Sequence, residues 1–206
     1  MRLEACNIGY RYEQGPWVLR GVNLDLNSGE VVGLAGPSGY GKTTLGRILA
    51  GYGQPAEGGV RLDGEPLPQT GYCPVQLIFQ HPESAVNPRW RMRDILREGG
   101  SPGAEVCGEL GLRPEWLGRW PNELSGGELQ RFCVARALTA QTRFLIADEM
   151  TTMLDAVTQA QIWQAVLKFS RRHELGILVI SHDQNLLKRL CTRVVDLVEL
   201  NRGSCS

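Results

Sequence analysis

The chain has 206 residues, 42% of them hydrophobic and 21% charged, which is enough apolar material for a core and argues against wholesale disorder. Lys+Arg and Asp+Glu both number 22, so the formal net charge is zero and the basic excess of a protein that grips nucleic-acid phosphates is missing. No apolar run reaches the roughly 18 residues of a membrane-spanning helix, and Met1 to Cys6 lack the apolar stretch of a secretory leader, so neither is expected.

Residues 1–29 read as short strands and turns. Val22, Leu24 and Leu26 alternate with Asn23, Asp25 and Asn27, the pattern of a half-exposed antiparallel strand. Glu30 to Ala35 is an apolar run suited to a buried parallel strand. A glycine-rich loop follows, then a helix from about Lys42 to Ala50, closed by Gly51 and Pro55. Val60 to Gly64 reads as a strand entering a turn, and Val75 to Phe79 as the next buried strand. From His81 to about Pro121 five prolines separate short helical patterns, which marks an inserted helical lobe. A longer helix starts at Ser125. Phe144 to Ala147 is a strand ending in Asp148-Glu149. A helix over about Asp155 to Arg172 keeps Ile162, Val166 and Phe169 at helical spacing. Gly176 to Ile180 is a strand ending at Ser181-His182-Asp183, and a short helix and a last strand, Arg193 to Leu200, follow. Strands alternating with helices predict a mainly parallel α/β sheet.

The six cysteines (Cys6, Cys73, Cys107, Cys133, Cys191, Cys205) include no C-x-x-C pair, so neither a zinc site nor a disulfide framework is expected, and a reducing compartment is. His81 and His173 read as surface or loop residues.

Three places carry chemistry. Gly36-Pro37-Ser38-Gly39-Tyr40-Gly41-Lys42-Thr43 fits G-x-x-x-x-G-K-[ST] between a predicted strand and a predicted helix. Glycines there let successive backbone N–H groups wrap phosphates at a helix N-terminus. Lys42 can reach the β- and γ-phosphates, the Thr43 hydroxyl can ligate Mg²⁺, and Thr44 can reach the α-phosphate side. Asp148 and Glu149 leave a buried strand at the sheet edge where open α/β sheets bind ligands. Asp148 is placed to hold Mg²⁺, and Glu149 to accept a proton from an attacking water or to orient it. His182 follows a strand ending at the same edge and could reach the γ-phosphate. The third place is Leu124-Ser125-Gly126-Gly127-Glu128-Leu129-Gln130-Arg131. Ser125 and Glu128 form a capping box, but two glycines in a first helical turn cost about 1 kcal/mol each. They make sense where a phosphate must approach the backbone, yet one subunit does not need two cradles for one γ-phosphate.

Here the sequence resembles the ATP-binding cassette ATPases over essentially its whole length. Gly36 to Thr43 matches the Walker A loop, and Gln80 after Leu77-Ile78-Phe79 the Q-loop. Leu124 to Arg131 matches the signature, Phe144 to Glu149 Walker B, Thr152 to Asp155 the D-loop and His182 the switch histidine. Tyr12 matches the aromatic that stacks on adenine, with Tyr10 as the competing choice. The resemblance implies an α/β fold: a P-loop NTPase parallel-sheet core, an N-terminal antiparallel β subdomain and an inserted helical subdomain over about 81–135 of one domain, 1–206. It implies ATP and Mg²⁺ as cofactors, with Thr43, Gln80 and Asp148 toward the metal and Glu149, His182 and Gln80 in catalysis. It further implies a head-to-tail pair of cassettes, in which Ser125, Gly126, Gly127, Glu128 and the D-loop Asp155 face the nucleotide of the partner. Glu128 stands where glutamine is commoner, Met150 where proline or alanine is usual, and Thr152-Met153 where Ser-Ala is typical. None of these removes a catalytic group.

Gln80-His81-Pro82-Glu83-Ser84-Ala85-Val86-Asn87-Pro88-Arg89, with Arg93 to Glu98, Trp120 to Arg131 and Thr158 to Ile162, is similar to the peptide/nickel importer branch, and the Ser-Ala-Val-Asn-Pro-Arg run more to its nickel member. That branch implies integral membrane permease subunits, a second cassette ATPase, an indirect link to an extracytoplasmic solute-binding protein, and a peripheral place at the cytoplasmic face of the membrane. The C-terminal extension of many peptide-importer ATPases is expected to be missing. The competing expectation is a soluble cassette ATPase acting on nucleic acid or translation, which the balanced charge disfavours. A GTP switch is disfavoured because the sequence holds no Asn-Lys-x-Asp motif.

Overall fold

The computed structural model describes residues 1–201; Cys205 lies outside the described residues. The chain begins with two long strands, β1 (Arg2–Arg11) and β2 (Trp17–Asn27), paired antiparallel. The short strands and turns expected over 1–29 are therefore one hairpin. Its alternation is interrupted because register shifts fall between Ala5 and Ile8 and between Ile8 and Tyr10, with Asn7 at φ 51°. Within β2 the expected alternation is present: Val22, Leu24 and Leu26 are buried while Asn23 and Asn27 are exposed.

β3 (Val31–Ala35) is buried at every residue and leads through the glycine-rich loop into α1 (Lys42–Leu49). β4 (Glu57–Leu62) and β5 (Glu65–Pro66) return to the hairpin, giving an antiparallel sheet of order β2-β1-β4-β5. Gly58 sits opposite the irregular part of β1 at φ +76°, and a Cβ there would lie 2.2 Å from the carbonyl oxygens of both Cys6 and Asn7. Backbone cannot yield as a side-chain tip can, so Gly58→Ala is expected to cost about 3 kcal/mol or more. A thermal melt reads this as a fall in Tm of roughly 6–12 °C for a chain of this size.

β6 (Val75–Ile78) re-enters the core. The segment that follows holds a 3₁₀ turn at Pro82–Ala85, α2 (Met92–Glu98), α3 (Ala104–Glu109), 3₁₀ turns at Pro114–Trp116 and Pro121–Glu123, and α4 (Gly126–Ala137). Prolines at the starts of the three turns explain why the helices between them stay short. β7 (Phe144–Asp148), α5 (Ala156–His173), β8 (Gly176–Ile180), α6 (Gln184–Leu190), β9 (Arg193–Asp196) and α7 (Leu197–Leu200) complete the described chain. The last strand expected to reach Leu200 stops at Asp196, whose carboxylate accepts from the Val198 N–H at 2.8 Å and caps a helical turn instead.

The five strands β6-β7-β8-β3-β9 form a wholly parallel sheet. Its two faces follow the period of two. Leu145, Ala147, Ile177 and Val179 pack with Ile162, Val166 and Phe169 of α5 and Phe132 of α4. Ile146, Leu178, Ile180 and Leu34 pack with Leu45 and Ile48 of α1 and with Leu3, Ile8 and Leu24 of the antiparallel sheet. The pairings Ile78↔Ala147, Asp148↔Ile180 and Leu34↔Ile180 keep the strand ends level. The loops that leave β3, β6, β7 and β8 therefore emerge side by side.

Candidate nucleotide site

At that edge lies a cavity of about 500 Å³, lined by Tyr12 and Val18 of the hairpin, the phosphate loop, Gln80, Asp148, Glu149 and His182. Of the predicted loop residues, Ser38, Gly39, Gly41, Lys42, Thr43 and Thr44 line it. Gly41 is the N-cap of α1 at φ 95°, and a Cβ there would meet Val18 Cγ1 at 2.9 Å and Leu19 Cδ2 at 3.0 Å. Only glycine satisfies both the left-handed backbone and that close approach. Gly36 and Pro37 are outside the lining and tether the lysine: Lys42 Nζ donates to Gly36 O at 2.7 Å and to Pro37 O at 2.9 Å. Tyr40 is half exposed at the loop tip and outside the lining. No side chain caps the N-terminus of α1, so its free N–H groups and partial positive charge face an incoming anion.

Tyr12, 59% exposed, places its hydroxyl 3.5 Å from Thr44 Oγ1, and Tyr10 supports it edge-on with ring centroids 5.1 Å apart. Between the two aromatics considered, Tyr12 is the one that lines the cavity.

Thr43 Oγ1 donates to Asp148 Oδ1 at 3.2 Å. Burial pushes the Asp148 carboxyl above its ordinary value; the Thr43 hydrogen bond works against that and the neighbouring Glu149 charge adds to it. Glu149 is held tightly. Its Oε1 accepts from the His182 backbone N–H at 3.0 Å and lies 2.8 Å from His182 Nδ1, while Oε2 is buried without a hydrogen-bond partner among the described residues. Its backbone has φ +49°, an uncommon conformation for a residue with a side chain. Two bonds fix it: its N–H donates to Ile180 O at 3.0 Å, and Thr152 Oγ1 donates to its carbonyl at 2.9 Å. A buried carboxylate oxygen with no partner, in a cavity shared with a hydroxyl–carboxylate pair and a lysine, fits a site for water, a divalent cation and phosphate.

The second glycine cluster is elsewhere. Ser125, Gly127, Glu128 and Asp155 line a separate cavity of about 600 Å³ that shares no lining residue with the first. Gly126 is exposed beside them. The capping box forms as expected: the Ser125 N–H donates to Glu128 Oε2 at 2.8 Å and the Glu128 N–H to Ser125 Oγ at 3.3 Å. The bond from Ser125 holds the Glu128 carboxyl below its ordinary value. Asp155 caps α5, accepting from the Val157 and Thr158 N–H groups at 3.0 Å each.

Some positioning residues leave no mark in the sequence. Thr151 Oγ1 accepts from Gln159 Nε2 at 3.0 Å and from Trp163 Nε1 at 3.1 Å, tying the turn after Glu149 to α5. Val18 belongs to no motif. His81 is exposed beside Glu83, and His173 stacks on Phe169, outside both cavities.

Fold and cavity together define a P-loop nucleotide-binding α/β protein. A sequence model described as "ABC transporter" matches residues 19–152. The nickel import ATP-binding protein NikE of Shigella sonnei is 39% identical, covering 94% of this chain and 82% of that protein. Its counterpart from Escherichia coli K12 is also 39% identical, covering 86% and 74%. Among solved structures, a dimeric post-hydrolysis state of an ATP-binding cassette bound to ADP and Pi is similar at TM-score 0.80 and 25% identity, covering 94% of this chain and 93% of that one. The chain belongs to the ABC transporter family and is one of its ATP-hydrolysing cassettes.

Proposed function

We propose that the chain is the ATP-hydrolysing subunit of a membrane importer that takes up nickel, bound peripherally at the cytoplasmic face to separate permease subunits. The carrying observation is the 39% identity to a nickel import ATP-binding protein over 94% of this chain. No helix among the described residues is long and apolar enough to cross a membrane, which accords with a separate permease. A cleft of about 480 Å³, lined by Tyr52, Phe79, Ala85, Cys133 and Arg136 among others, runs between the parallel-sheet core and the helical lobe. In this reading the permease seats there, one residue from Gln80.

The residues divide the work. Backbone N–H groups of the phosphate loop and Lys42 bind the phosphates, releasing the lysine from the Gly36 and Pro37 carbonyls. Thr43, Asp148 and Gln80 hold Mg²⁺, which when bound neutralises phosphate charge. Glu149 takes the proton of the attacking water at Oε2, and His182 fixes the carboxylate through Oε1. Tyr12 stacks on the adenine. Ser125, Gly126, Gly127, Glu128 and Asp155 face the nucleotide of a second cassette, so that ATP closes a pair and hydrolysis reopens it. The separation of the two cavities supports that two-chain reading.

Copurification from host membranes in mild detergent tests the proposal, together with radioactive nickel uptake by cells with and without the chain. A permease pair, a second cassette and nickel uptake that depends on the chain are expected. Ribosomal or DNA-repair partners with unchanged nickel uptake would overturn it.

A further inference from the structure

The second cavity contains a cation that no motif accounts for. Arg113 lines it with Ser125, Gly127 and Glu128. The residue precedes Pro114 and is extended, φ −94° and ψ 137°, as a pre-proline residue must be. The 3₁₀ turn that follows brings Trp116 beneath it, with the guanidinium carbon 5.2 Å from the ring centroid. Trp116 is buried and packs on Phe132, centroids 6.4 Å apart, so the platform is part of the lobe's core. Arg113 is exposed, and its side chain makes no hydrogen bond or ion pair among the described residues, leaving its five N–H donors available.

The other cation in the cavity is already engaged. Arg131 Nη1 donates to Leu110 O at 2.7 Å and Nη2 to Gln161 Oε1 at 2.6 Å. Glu128, by contrast, puts an anion on the wall, pinned by the Ser125 N–H. A polyphosphate entering here meets that carboxylate. Arg119 and Arg113 are the positive charges that act on Glu128, and of these two Arg113 alone lines the cavity.

We propose that Arg113 is the phosphate-facing cation of this half-site, offsetting Glu128 and donating to the phosphates of the nucleotide that a second cassette presents. The inference rests on the two-chain reading given above. The test uses the Glu149→Gln chain, with the copurified second cassette added where the chain alone stays monomeric, and follows dimer formation by light scattering as ATP is titrated. Arg113→Ala is expected to raise the half-point for ATP by about tenfold or more, the loss of a charge-assisted hydrogen bond. Binding of a fluorescent ATP analogue to the monomer should not change. Arg113→Lys should recover part of the loss. Adding Glu128→Gln to Arg113→Ala should recover part of it, because the Glu128 charge is then gone while the lost hydrogen bond and the Asp155 carboxylate on the same wall remain. An unchanged half-point, or an equal weakening of monomer binding, overturns the role. Ser125→Arg, run in parallel, separates the two failures. If it dimerises like its parent, the half-site reading falls and Arg113 with it. If it is blocked while Arg113→Ala is silent, only the role of Arg113 falls.

Discussion

Glu149→Gln is expected to bind ATP normally, trap the closed pair and lose turnover by about a hundredfold to ten-thousandfold, the range of a general base. That loss corresponds to roughly 3–5 kcal/mol of barrier. The substitution keeps the shape of the side chain, so Oε1 can still accept from the His182 N–H, now at 3.0 Å. What disappears is the proton acceptor at Oε2, the atom buried without a partner. The strained φ of +49° and its anchoring bonds to Ile180 and Thr152 are backbone features, so the fold should be little affected. A melt within a few degrees of wild type, with ATP-dependent dimers that persist on light scattering, would complete the expected result. Turnover within a few-fold of wild type would show that Glu149 orients water without accepting its proton, or that His182, 2.8 Å away, does the work.

The phosphate loop, Gln80, Asp148-Glu149 and His182 are legible in the sequence because each follows a buried apolar strand. A fully buried parallel strand needs an unbroken apolar run, and the polar residues that follow it are conspicuous. Gly36, Gln80, Asp148 and His182 all follow such runs, and the level register of β6, β7, β8 and β3 then gathers them. Strand order itself leaves no trace in a single sequence. Nor does the left-handed backbone of Glu149, because no glycine or asparagine marks it. In sequence the hairpin of β1 and β2 looks like separate short strands because the bulge around Asn7 breaks the alternation while hydrogen bonding continues beyond it. At the other end, Val194-Val195-Asp196-Leu197-Val198 satisfies both the period of two and that of 3.6. The Asp196 cap, a local hydrogen bond, decides between them. Arg113 and Trp116 were invisible for a different reason: a cation–π pair in a loop has no spacing rule and becomes meaningful only when the fold puts Ser125 beside it.

Ser125→Arg separates the two cavities most sharply. The lining residues of the phosphate-loop cavity do not include Ser125, so nucleotide binding by the monomer is expected to be unchanged. ATP-driven pairing and ATPase activity are expected to fall by at least about a hundredfold, comparable to the loss of a preorganised donor set around a developing charge. The cause is mostly volume: an arginine at the entrance to a helix N-terminus flanked by Gly126 and Gly127 fills the space that a phosphate needs to reach those backbone N–H groups. The substitution also removes the Ser125 hydroxyl that accepts from the Glu128 N–H at 3.3 Å. Loss of one cap costs about 1 kcal/mol, small against the roughly 5–15 kcal/mol that holds a domain folded, so a melt would show only a modest decrease. Its new positive charge lies beside Glu128 and would, if anything, attract a polyphosphate. A loss of pairing despite that attraction therefore points to access to the backbone rather than charge. A Ser125→Arg chain that pairs and turns over like wild type would show that this glycine cluster serves as a helix cap alone, and that the ATP site is complete within one chain.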